Sequence, residues 1–159
     1  MDRDQLSGAF SATVQASLHG LQTLQQLLSR EQAALTGRDP ELLQQIVTEK
    51  LAVLKELASS VQARDRLQKA AGFEQSLEGG STLVDRLGLP DLQRAWNQLT
   101  ELAQTVADLN LRNGQLAAQG QRATRAALGI LTGRPTSDDT YAGLRRRASG
   151  ADRYSLGKV

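Results

Sequence analysis

The sequence predicts an all-α fold. An antiparallel hairpin of two long helices is followed by a third long helix, as an elongated, coiled-coil-like bundle with a disordered C-terminal tail. Two observations carry that expectation. Apolar residues make up 40% of the 159 and are mostly Leu and Ala, whereas aromatics are only 3%. Leu and Ala favour helices and have little preference for strands. The apolar positions also recur at three- and four-residue steps over long stretches, and β-branched or aromatic residues never cluster in alternating runs. The length suits one domain, read as a helical region 1–132 and a flexible basic tail 133–159.

The first helix is expected from about Asp4 to Thr36. Leu6, Phe10, Val14, Leu18, Leu21, Leu24, Leu28 and Leu35 fall on one stripe of it. Gly37 is the expected left-handed terminator. Asp39, Pro40 and Glu41 open the next helix: a cap for its free N–H groups, a preset φ at its first position, and a charge that complements its dipole.

The second helix is expected to end near Ala70. Its seam reads Leu43, Val47, Lys50, Leu54, Leu57, Val61 and Arg64, widened by Ile46, Leu51 and Leu67. The alternating four and three is that of a coiled coil. The short link between the two helices makes them an antiparallel hairpin.

A break is expected from Ala70 to Ser81, with Gly72, Gly79 and Gly80 read as turn residues. Thr82-Leu83-Val84-Asp85 reads as a capping box that opens a short helix to Leu87. Gly88-Leu89-Pro90 ends it. The third long helix then runs from Pro90 to about Leu131. Its seam is bulky up to Val106 and becomes small or polar from Asn110 to Thr124.

The tail from Gly133 carries six basic and three acidic residues, against 13 and 14 in the rest. It has few apolar residues to bury and cannot offset its ordering entropy, so disorder is expected there. The body is nearly neutral.

Little in the chain suggests chemistry. It has no Cys and one His, which excludes thiolate metal sites and disulfides and suits a reducing compartment. The polar start is not a signal peptide, and no apolar run is long enough to span a membrane. A cytoplasmic protein without a cofactor is expected. His19 lacks the neighbours of a phosphotransfer histidine, and Gly79-Gly80-Ser81-Thr82 lacks the Lys of a phosphate-binding loop. No carboxylate pair converges on a cleft. An enzyme is not expected. Arg145-Arg146-Arg147 is read as solubilising charge and not as a nucleic-acid contact, and Trp96 is read as core.

Asn110 and Asn113 raise the sharper question. A buried amide without a partner costs about 1–3 kcal/mol. Either both fix helix register, or this half of the helix is not buried in the monomer. Ala117, Ala118, Ala123, Ala126 and Ala127 form a smooth surface with Leu109, Leu116, Leu128, Ile130 and Leu131 as anchors. Such a surface suits an amphipathic partner helix. Both readings stay open at this point.

The segment Asn110-Leu111-Arg112-Asn113-Gly114, the Ala-rich stretch, Leu128, Leu131, Gly133 and Thr140-Tyr141 resembles the C-terminal region of the FlgN family. The resemblance implies a cytoplasmic chaperone of flagellar type III export. Such a protein binds the C-terminal segments of hook–filament junction proteins, prevents their early assembly and delivers them to the export apparatus. It places Asn110, Asn113, Gly114, Leu128 and Leu131 in the surface that binds the exported protein, which the apolar anchor Leu116 is expected to join, and Tyr141 in export-gate docking. After Tyr141 the family's small residues give way at once to Leu144 and three arginines, which weakens that last assignment. The alternative is a helical adaptor that self-associates and has no export role.

Overall fold

The computed structural model describes residues 1–132 as four helices: α1 (Arg3–Gly37), α2 (Pro40–Ala70), α3 (Leu77–Leu87) and α4 (Pro90–Thr132). The expected tail, Tyr141 included, lies outside the described residues. Two compact units are present, Met1–Leu116 and the part from Ala117 onward. α1, α2 and α3 lie in the first, and α4 begins in it. There is no strand among the described residues.

Local signals set the helix ends. Asp2 caps α1 in a reciprocal box with Gln5, 2.8 Å from its N–H to Asp2 Oδ1. Asp39 caps α2 through the Leu42 N–H at 3.0 Å, with Pro40 in the first turn as expected. The end of α1 departs from expectation. Gly37 stays helical, and Arg38 takes the left-handed conformation at φ 53°. Its N–H still closes on Ala34 O, so the cap works without glycine at that position.

α1 and α2 form the expected hairpin. Ser17 bonds Ser60 at 2.9 Å, Leu57 packs over Gly20, and Lys50 bonds Glu31 at 3.0 Å. Numbers fall along α2 as they rise along α1, which is the antiparallel register. Gly20 makes the approach close: a Cβ would stand 2.7 Å from Leu57 Cδ2, so the Leu57 side chain would have to shift.

The seam of α2 is narrower than the sequence suggested. Ile46, Arg64 and Gln68 are its buried residues, while Val47, Leu51 and Leu54 are exposed at 41%, 64% and 44%. Val47 and Leu54 were expected on the seam itself and Ile46 beside it, so the covered face is turned away from the predicted stripe and two of its own positions are left in water.

α3 corrects a second expectation. It starts at Leu77 and not Thr82. Ser76 caps it by accepting the Gly79 N–H at 3.0 Å. Gly79 and Gly80 are buried helix residues and not turn residues. A Cβ on Gly80 would sit 2.6 Å from Trp96 Cζ2, so this glycine lets α3 approach α4.

The main core joins Phe10, Val14 and Leu18 of α1, Leu83, Val84 and Leu87 of α3, and Leu92, Ala95, Trp96 and Leu99 of α4. Trp96 is 3% exposed and donates its indole N–H to Ser81 Oγ at 2.9 Å, which makes it core as expected. A second cluster links Leu24 and Leu28 to Val106. Gln68 is fully buried. Its amide nitrogen donates to Glu74 O and Ser76 O at 2.5 and 2.8 Å, fastening the loop that leads into α3.

Candidate protein-binding surface

Past Val106 the apolar contacts of α4 thin out, and its side chains divide between two faces. Asn113 is 2% exposed. Its Nδ2 donates to Leu28 O and to Glu31 Oε2, each at 2.8 Å. Glu31 also accepts from Lys50 Nζ at 3.0 and 3.2 Å. One amide, one carboxylate and one ammonium thus join α4, α1 and α2. Asn113 Oδ1 has no hydrogen-bond partner among the described residues.

The adjoining face is open. Ala107, Asn110 and Gly114 follow one another at three- and four-residue steps, Leu111 stands three and four residues from Gly114 and Ala107, and all four are exposed. Leu111 is 63% exposed, and nothing lies within 4 Å of where a Cβ on Gly114 would stand. Leu116 is half-buried.

The structure therefore separates the residues that the sequence grouped. Asn110 and Gly114 share the open face, and Asn113 turns inward as a register residue. Each of the two readings of the amides holds for one of them. Leu128 and Leu131 fall on the α4 backbone, but their side chains lie outside the described residues, as does Tyr141. Sequence reasoning did not single out Glu31, Lys50 or Arg64. The signal was present, because Lys50 and Arg64 interrupt an otherwise apolar seam.

Among the described residues no cluster of three or more His, Cys, Asp or Glu could hold a metal ion. No described helix is long and apolar enough to cross a membrane. His19 is exposed on α1. The exposed face of α4 presents the Asn110 amide and the bare Leu111 side chain between two small residues, Ala107 and Gly114.

The model of the family described as FlgN protein matches residues 1–143. A solved structure of a flagella synthesis protein FlgN from Pseudomonas aeruginosa is similar, at a TM-score of 0.60 and 27% identity. The match covers 76% of this chain and 93% of that one. No curated protein matches. The family match spans most of the sequence and the structural likeness reproduces the fold, so the chain belongs to the FlgN family of flagellum-synthesis proteins.

Proposed function

We propose that the protein is a cytoplasmic chaperone of flagellar type III export. It binds the C-terminal segments of hook–filament junction proteins, keeps them from assembling early and presents them to the export apparatus. The observation that supports this most is the exposed face of α4, where Ala107, Asn110, Leu111 and Gly114 stand uncovered beside an inward-facing Asn113. A helix that spends one residue on its own bundle and leaves the adjoining face bare is suited to receive a second helix. The Ala-rich sequence that follows, with Leu128 and Leu131, is assigned to the same role on its composition alone.

In this reading a disordered, amphipathic cargo segment folds as it binds. Its ordering entropy subtracts from the affinity and keeps the complex releasable, as export requires. Tyr141 is assigned to docking at the export gate. The test is cargo binding by a chain carrying Leu128→Asp and Leu131→Asp. Binding is expected to be lost while the hairpin stays folded; unchanged affinity removes the proposal.

Self-association as a helical adaptor is the second reading, and the exposed Val47, Leu51 and Leu54 of α2 favour it. Sedimentation of the free protein separates the two. A monomer that pairs only with cargo supports the chaperone, and a concentration-dependent oligomer supports the adaptor.

A further inference from the structure

Arg64 stands at a seam position of α2, 8% exposed. Its Nε and Nη2 both donate to a single oxygen, Asp65 Oδ1, at 3.3 and 3.0 Å. Its guanidinium carbon lies 5.8 Å from the centre of the Trp96 ring. Nη1 has no hydrogen-bond partner among the described residues. A guanidinium carries five N–H donors, and a buried one is costly unless they are used. Nη1 is not among the fully buried side-chain atoms left without a partner, so this donor reaches solvent while the other side of the guanidinium is ion-paired with Asp65.

The same side chain lines a cleft of about 200 Å³ within the first unit. Leu21 of α1, Leu57 and Val61 of α2, Leu99 and Ala103 of α4, and Leu77 at the start of α3 supply its apolar lining. Arg64 is the one charged residue lining it. Pockets for small molecules and cofactors usually measure roughly 300–1,000 Å³, so this one is undersized for them. It has room for one large apolar side chain. Leu77 is 53% exposed, and the exposed Leu54 and Leu51 continue the apolar edge of α2.

We propose that the cleft is a docking site for an acidic amphipathic helix of another protein. That helix seats one Leu- or Phe-type side chain between α2 and α4. A Glu or Asp one turn away gives its carboxylate to Arg64 Nη1. The charge complementarity is specific: an apolar cleft with a single, incompletely paired cation accepts an apolar side chain accompanied by an anion. The site needs neither Leu128 nor Leu131, so it stands or falls apart from the cargo surface of α4.

The experiment uses the full chain and Trp96, its sole tryptophan, as the reporter. The probe is a blocked helical peptide without Trp or Tyr. It carries Leu at three- and four-residue spacing and a Glu one turn from the central Leu. A second peptide has Gln in place of that Glu. Saturable change in Trp96 emission is expected, about tenfold weaker or more with the Gln peptide, as suits loss of one charge-assisted hydrogen bond. Leu77→Asp puts a carboxylate at the rim of the cleft, at a first-turn position where the helix dipole favours it. This variant should keep its helicity and melting temperature and lose at least about tenfold in affinity. Ala103→Phe, filling the cleft from α4, should do the same. Equal affinity for the two peptides, full binding by both variants, or no binding at millimolar peptide overturns the proposal. So does self-association of the free protein that the peptide displaces, which assigns the cleft to a second copy.

Discussion

Asn113 of α4 holds Glu31 of α1 by a 2.8 Å hydrogen bond from its amide nitrogen, and the same nitrogen reaches the carbonyl of Leu28. That nitrogen has two N–H groups, and both are used. Glu31 in turn holds Lys50 of α2. The cluster follows the apolar contacts of Val106 and Leu109 along α4, and it ties three helices together at once.

Removing the amide should therefore be costly. Asn113→Ala is expected to destabilise the chain by about 1–3 kcal/mol, because two buried hydrogen bonds are lost, one of them to a charged group. Asn113→Asp should cost more, since it sets a second carboxylate against Glu31. Urea denaturation followed by circular dichroism measures both. A change below about 0.5 kcal/mol for Asn113→Ala, the range of an ordinary surface substitution, contradicts the register role.

Two ion pairs link α1 to α2, and they should differ in strength. Glu31 and Lys50 are 13% and 18% exposed in their side chains, whereas Arg30 and Glu49 are 46% and 48%. Exposed pairs couple by about 0.2–1 kcal/mol and are screened by salt. Double-mutant cycles should give the larger coupling for Glu31–Lys50 and the steeper loss with salt for Arg30–Glu49. The reverse order counts against the cluster described above.

Two glycines inside helices should respond to alanine with opposite sign. Gly8 has nothing within 4 Å of where a Cβ would stand, so Gly8→Ala should stabilise by roughly 0.5–1 kcal/mol through helix propensity. Gly80→Ala drives a methyl into the Trp96 ring and should destabilise by about 1–3 kcal/mol. It should also shift Trp96 emission. A stable Gly80→Ala protein with native emission contradicts the close packing of α3 on α4.

Leu111 separates surface from core. At 63% exposure, Leu111→Asp should leave stability within about 0.5 kcal/mol. If the open face of α4 receives cargo, the same change should lower cargo affinity at least tenfold. Unchanged affinity removes Leu111 from that face.

The hairpin and the helix boundaries around it were legible because Asp39 and Pro40 each have one physical reading at a helix start. Gly79 and Gly80 did not. Glycine marks a turn or a close approach, and only the position of Trp96 shows which. Arg38 hid its cap for the same kind of reason, since the left-handed conformation normally selects glycine. Val47 and Leu54 are exposed and Ile46 is buried because apolar residues ring much of α2, and sequence does not say which part of so wide a stripe a neighbour covers. The two amides on α4 are three residues apart, only about a sixth of a turn around the helix. One falls against α1 and the other in water, a distinction finer than a seam pattern resolves. The Arg64 cleft escaped notice because its lining comes from all four helices.

The central claim is that α4 receives an exported subunit, and calorimetry tests it most directly. A C-terminal peptide of a hook–filament junction protein is titrated into the full chain and into the chain with Leu128→Asp and Leu131→Asp. The account predicts a dissociation constant on the order of micromolar or tighter for the full chain, equivalent to about −8 kcal/mol. It predicts no measurable heat of binding for the variant, with helicity unchanged. No binding by the folded full chain, or equal binding by both, contradicts it.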